Sequence, residues 1–220
     1  MIRNPFTCRF ADLPTSIAIF PLSNAVLMPG TQLPLNIFEP RYLSMVFDAL
    51  RSHRMIGMVQ PDPQSPDAAV TPVFRTGCAG RITTFKEIGD GRLEIVLSGI
   101  CRFDIEQEIS VDTAYRRVVP DWSRFAGDYN DIADKVLDRT RFIPELRSFC
   151  RERNIEVEWS QLDELRDQNL IDLLGIYLPL ETEEKQALIE TVGVRERADL
   201  LLGMLQMSAG PAAGSHAVKH

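Results

Sequence analysis

Cysteine and histidine are both scarce in these 220 residues, and their placement excludes several chemistries. Cys8, Cys78, Cys101 and Cys150 lie far apart, with no CxxC pair and no histidine at ligand spacing. Neither a zinc site nor a thiol redox motif is indicated, and the four thiols read as small buried hydrophobes. The histidines are His53, His216 and His220, the last two in a terminal tail. Nucleophilic catalysis needs a Ser, Cys or Thr beside a base, and His53, between Arg51 and Arg54, is expected on a solvated helix end. No GxxxxGK[ST] loop is present to cradle phosphates, and no metal or cofactor is expected. No apolar run approaches the roughly 18–20 residues that cross a bilayer, and MIRNPFTCRFADLP lacks the apolar core of a secretory leader. A cytoplasmic protein with no membrane partner is expected.

Positive charge is also short. The chain holds 24 Lys and Arg against 31 Asp and Glu, for a net charge of −7. The imbalance is local: residues 1–126 hold 13 of each sign, whereas residues 127–207 hold 10 basic and 18 acidic. Nucleic-acid affinity comes largely from Lys and Arg displacing counterions, so an acidic half argues against a DNA or RNA partner.

What the chain does have is concentrated in IAIFPLSNAVLMPGTQLPLNIFEPRY, residues 17–42. Ile17 to Phe20 form an apolar run stopped by Pro21, and Leu33, Leu35 and Ile37 alternate with Gln32, Pro34 and Asn36; both read as strands. Met28, Pro29 and Gly30 make the turn between them. Pro40 is placed to open a helix, with Tyr42, Met45, Val46, Ala49 and Leu50 at helical spacing. Met55 to Val59 is a further strand, and the proline-rich residues 60–72 a surface loop. Residues 77–88 and 92–97 form a hairpin around Gly89, Asp90 and Gly91. Gly99 marks a bulge or bend before Cys101, Phe103 and Ile105, and Ala114 to Val119 adds a last strand.

Beyond residue 127 the patterns are helical. Ile132, Val136 and Leu137 lie on one stripe and Leu146, Phe149 and Cys150 on another, with Pro144 as a kink or a fresh helix start. Ser160 with Asp163 and Thr182 with Glu183 and Glu184 suit helix N-termini. Gly193 suits a stop, and Ala198, Leu201, Leu202 and Leu205 mark a final helix. The expected fold class is α+β: an irregular N-terminus over 1–16, a coiled β pseudo-barrel of about six strands and one helix over 17–120, a linker over 121–127, a helical bundle over 128–207, and a disordered tail over 208–220.

The succession of PL, PG, PL and FEPRY ahead of an amphipathic helix resembles the N-terminal substrate-binding domain of the Lon protease family. FRTGCAGRITTFKEIGDGRLEIVLSGICRFDI resembles that family's central hairpin, with Gly77, Gly99 and the Arg102–Phe103 pair at its positions. LPLETEEKQALIETVGVRERADLLLGML resembles the end of its helical part. The resemblance covers about residues 17–205 and implies a non-enzymatic module that binds unfolded or exposed hydrophobic polypeptide segments. It is similar to the stand-alone members that lack the ATPase and Ser-Lys protease regions, with a protease or chaperone as further partner and protein quality control as the setting.

Two groups of residues follow from this reading. Met28, Pro29, Tyr42, Met45 and Phe74 are candidates for lining a peptide groove, because Met and aromatic side chains are adaptable and offer large contact area; packing in the core is the alternative for each. Pro21, Gly30, Phe38, Glu39, Arg41, Gly77, Gly99 and Arg102 are read as structural, with Glu39 and Arg102 expected to meet each other or to pair with backbone groups, since a buried lone charge is costly. A cryptic hydrolase built on His53 and an RNA-binding β barrel are the alternatives from other classes.

Overall fold

In a computed structural model of the chain, residues 8–63, 71–110, 112–130 and 135–208 are described. Most of the proline-rich loop, Ile132 and the tail beyond Ser208 lie outside the described residues. The chain divides into two compact units, Met1–Asp131 with Asp172–Val192, and Ile132–Ile171 with Gly193–His220.

The first unit is built on six strands: β1 (Ile17–Pro21), β2 (Gln32–Ile37), β3 (Met55–Val59), β4 (Thr76–Ile88), β5 (Arg92–Ile109) and β6 (Arg117–Asp121). They lie in the order β2-β5-β4-β3-β1-β6, and β6 returns to pair with β5, so five strands close a partial ring and β2 hangs off it as an edge. The α+β fold expected from the sequence is what is found, with two local differences. The segments before and after Gly99 are one 18-residue strand, β5, whose first half pairs with β2 and whose second half pairs with β6. The last strand begins at Arg117, not Ala114, because Tyr115 turns inward, its ring buried and its hydroxyl donating to Asp48 Oδ2 at 2.9 Å.

Gly99 allows the bend. The register shifts there, Ala79 facing Cys101 and Gly80 facing Gly99, and the Gly99 backbone exchanges bonds with the 28–31 turn: Gly30 N–H to Gly99 O and Gly99 N–H to Thr31 O, each 2.9 Å. A Cβ on Gly99 would stand 2.0 Å from Met28 O, so only glycine fits this approach. In the turn itself Thr31 N–H reaches Met28 O at 3.1 Å and Gly30 has φ +78°, the geometry that Pro29 at the second turn position and glycine at the third favour.

Helix α1 (Pro40–Arg51) opens on its proline as expected and buries Met45, Val46 and Ala49. One apolar cluster joins these residues to Ile37, Ile56, Met58, Leu93, Ile95 and Leu97; a second gathers Ile17, Ile19, Val59, Phe103, Val118 and Phe125. Phe125 comes from a 3₁₀ helix, Ser123–Tyr129. Helix α5 (Thr182–Glu190) packs on β4 in the same unit. It opens with a capping box in which Glu181 is the N-cap and Glu184 accepts from the Glu181 amide at 2.8 Å.

The second unit contains α2 (Arg139–Glu152), α3 (Trp159–Asp163) and α6 (Val194–Ser208), and α4 (Asp167–Tyr177) begins in it. Asp138 caps α2, and Pro144 is carried inside the helix, which continues past it. Phe142, Leu146 and Phe149 are fully buried on α2, as are Leu201 and Leu205 on α6, and the two helices pack together. Arg139 ties the end of α3: Nε donates to Asp167 Oδ1 at 2.8 Å, Nη1 to Asp163 O at 3.2 Å, and Nη2 to Leu165 O. Asp167 Oδ2 accepts from the Leu137 amide at 3.0 Å. Burial pushes the Asp167 carboxyl upward, but the amide and guanidinium bonds outweigh it and hold the group below its ordinary value.

Candidate functional site

Among the described residues, strand β2 is paired with another strand on one side only. Gly99 N–H to Thr31 O fixes the alternation: Leu33, Leu35 and Ile37 direct their backbone groups to β5, while those of Gln32, Pro34 and Asn36 point to the free edge. Pro34, which has no N–H, therefore sits where its missing donor costs the ladder nothing. Beside this edge runs a groove of about 400 Å³, bounded by Phe20–Ser23 on one side and Pro34–Phe38 on the other. Phe38, at its rim, is 63% exposed, one of several large apolar side chains that reach solvent.

A second groove, of about 450 Å³, is walled by Ile19, Tyr115 and Arg116 and by Pro61 and Thr71. Pro21, Arg41 and Tyr42 are common to both grooves. The Tyr42 ring stands between them, its centroid 4.2 Å from that of Phe20 with the planes tilted by 43°, and is covered at 4.5 Å by the Arg41 guanidinium. Burial pushes the Tyr42 phenol up, so it stays protonated at neutral pH. Arg41 is bound by Glu39, at 2.9 Å through Nε and 2.7 Å through Nη2. Arg116 is bound by Glu108, at 2.8 Å through Nε and 2.7 Å through Nη2, and its Nη1 donates to Thr71 O at 2.9 Å. The Arg116 bonds hold the Glu108 carboxyl below its ordinary value.

The candidates named from sequence divide. Tyr42 lines both grooves, and Pro29 is half-buried in its turn. Met28, 2% exposed, and Met45, fully buried, are core residues, so their side chains are not available to a partner; the helical spacing that flagged Met45 is the spacing of a buried face. Phe74 is half-buried and lines neither groove, its amide bonded to Gln60 O. Conversely Pro21, Phe38, Glu39 and Arg41, read as structural, stand at the groove walls. Leu35, Tyr115 and Arg116 were missed. The alternation of β2 points to Leu35, but nothing local ties Arg116 to Arg41 and Tyr42, 75 and 74 positions earlier.

Glu39 and Arg102 do not meet. Glu39 pairs with its neighbour Arg41, whereas Arg102, 2% exposed, is clamped by Asp128. Arg102 Nε and Nη2 donate to the Asp128 carboxylate at 3.1 and 2.7 Å, Nη1 to Ile189 O and Thr191 O at 3.1 and 2.6 Å, and Nη2 also to Val192 O at 3.2 Å. All five guanidinium donors are used, three of them on carbonyls at the C-terminal end of α5, where positive charge is favoured. The Phe125 ring lies 4.5 Å beneath. Gly77 helps complete this packing, with no room for a Cβ between Met58 O at 2.5 Å and the Phe103 ring at 3.1 Å. A further buried cation, Lys185, donates to Ile176 O at 2.9 Å and Asn24 O at 3.1 Å, and burial lowers its pKa.

His53 Nδ1 accepts the Met55 amide at 3.1 Å, and burial, reinforced by Arg117, pushes its pKa down. Burial drives the Cys78 and Cys101 thiols upward, away from the reactive thiolate. Among the described residues no group of three or more His, Cys, Asp or Glu side chains could hold a metal ion, and no helix is long and apolar enough to cross a membrane.

Residues 16–207 match the ATP-dependent protease La (LON) substrate-binding domain. The Lon proteases of Flavobacterium johnsoniae and Anaeromyxobacter dehalogenans are each 26% identical, over 85% and 88% of this chain. The matches span 23% of those relatives' length, so this chain corresponds to about a quarter of each. Among solved structures, the Lon N-terminal domain protein from Xanthomonas campestris superposes with a TM-score of 0.60 at 23% identity, covering 86% of this chain and 98% of that one. The N-terminal domain of the Mycobacterium avium complex Lon protease gives 0.57 at 18% identity, over 88% and 97%. With a six-stranded sheet, five of whose strands close a partial ring, together with several helices, and with the family match running through both units, this chain belongs to the Lon substrate-binding domain family.

Proposed function

We propose that this protein is a recognition module for polypeptides, gripping extended segments with exposed apolar side chains along the free edge of β2. One observation carries the reading: an open groove of about 400 Å³ runs beside that unpaired edge, with Phe38 63% exposed at its rim. An extended chain can add a strand there, its backbone bonding to Gln32 and Asn36 and its alternate side chains entering the groove. Family membership supports the same role, since the family is described by the binding of a protease's substrates. The module performs no bond-breaking of its own. The occupied His53 and the buried, upward-shifted thiols favour that over a hydrolase. The acidic balance of the chain disfavours an RNA-binding barrel. A cytoplasmic quality-control adaptor, passing clients to a protease or chaperone, is the setting we assign.

Photo-crosslinking with a permanently unfolded polypeptide tests the reading, the photoreactive group being placed on the polypeptide. Crosslinks at Leu35, Phe38 and Tyr42 are expected. Crosslinks confined to α2, α3 and α6 would overturn it.

A further inference from the structure

The two grooves differ in charge. In the one beside β2 both Glu39 and Arg41 contribute, whereas in the one bounded by Tyr115 the charged lining residues are Arg41 and Arg116. Their carboxylate partners, Glu39 and Glu108, do not line that second groove, so they hold the guanidiniums from outside it. A guanidinium has five N–H donors and a carboxylate takes two. Arg41 donates Nε to Glu39 Oε2, with Nη2 in ion-pair contact with the same oxygen, and Arg116 spends Nε and Nη2 on Glu108 and one Nη1 hydrogen on Thr71 O. Donors therefore remain on both, and the groove's other walls, Ile19, Pro21 and the Tyr42 ring, shield them partly from water.

We infer, building on the groove reading above, that the preferred segments are apolar stretches carrying an aspartate or glutamate, whose carboxylate docks between Arg41 and Arg116 while a neighbouring apolar side chain fills the groove beside β2. The shared walls Pro21, Arg41 and Tyr42 put the two subsites within reach of one extended chain, which advances about 3.3 Å per residue. Admitting the carboxylate disrupts little. The Arg41–Glu39 side chains are 53% and 41% exposed and Glu108 is 45% exposed, and pairs of that kind contribute little and can share a third group. A lysine in the same position would face two guanidiniums, so the site selects against basic segments as well as for acidic ones.

The test is fluorescence anisotropy with three labelled peptides of identical alternating apolar sequence that carry Glu, Gln or Lys at one central position. The Glu peptide is expected to bind about fivefold more tightly than Gln and about tenfold more tightly than Lys at low salt, with the differences shrinking as salt rises. Arg116→Gln should shrink the Glu-over-Gln ratio to about twofold, the share Arg41 still holds, and Arg116→Lys should keep most of it; thermal melts confirm that both variants fold. Equal binding of all three peptides, or tighter binding of Lys, would overturn the charge selectivity and leave the groove reading standing. Binding of none would overturn both.

Discussion

Each unit of this domain is tied by the same device, an arginine that grips one carboxylate and the carbonyls of a helix end. In the first unit Arg102 holds Asp128 and the end of α5; in the second Arg139 holds Asp167 and the end of α3. The two differ in their surroundings. Arg102 and Asp128 are 2% and 7% exposed, Arg139 and Asp167 30% and 9%. Water can replace part of what Arg139 supplies, whereas nothing replaces Arg102 once it is gone. The chemistry of a contact does not set its worth; the water left around it does. The ring that carries the groove thus holds the clasp that is costlier to break.

The comparison can be broken by mutation, beginning with the largest effect. Arg102→Met leaves Asp128 buried without its guanidinium and takes away the donors to the carbonyls at the end of α5, and should cost about 3–5 kcal/mol, read as lost hydrogen-exchange protection in β4, β5 and α5. The double variant Arg102→Met with Asp128→Leu should recover part of that, because the orphaned charge is removed as well. Gly99→Ala, whose Cβ would collide with Met28 O, should cost about 2–3 kcal/mol by chemical denaturation, without touching the clasp. Arg139→Met should cost less, about 1–2 kcal/mol, with exchange rising first in α2 and α3.

Acid sharpens the contrast further. The Asp167 carboxyl is held below its ordinary value in the folded state. Its contribution is therefore present above the unfolded carboxylate value, about pH 4, and is lost as pH falls through the lowered folded value. Urea midpoints measured between pH 7 and pH 3 should show a smaller acid-induced fall in Arg139→Met than in the unmodified protein.

How much of this was readable in the chain depends on whether the informative interaction is local. The β2 alternation, the Pro29–Gly30 turn, the Gly89–Asp90–Gly91 reversal and the opening of α1 at Pro40 all follow from short-range rules, and all are found. Gly99 stood out because a glycine in an alternating strand has no local reason to be there. Arg102 could be recognised as a charge in an apolar strand, but its partner could not: Asp128 lies 26 positions away and Val192 lies 90. For the same reason Arg116 was not legible as a neighbour of Tyr42. Met28 and Met45 misled because a turn tip and an amphipathic helix can present methionine to the core or to solvent with the same sequence pattern. Burial settled the matter only once α1 lay against the sheet.

The smallest expected effect on stability belongs to the residue on which the proposed function leans most. Phe38 is exposed and outside the core, so Phe38→Asp should change stability by no more than about 0.5 kcal/mol. Its effect on binding is the most direct test of the account: the affinity of an unfolded polypeptide for the unmodified protein and for Phe38→Asp, measured by fluorescence anisotropy on samples with matched melting curves. A loss of tenfold or more in the variant is the predicted result. Unchanged affinity would place the binding surface elsewhere and contradict the groove.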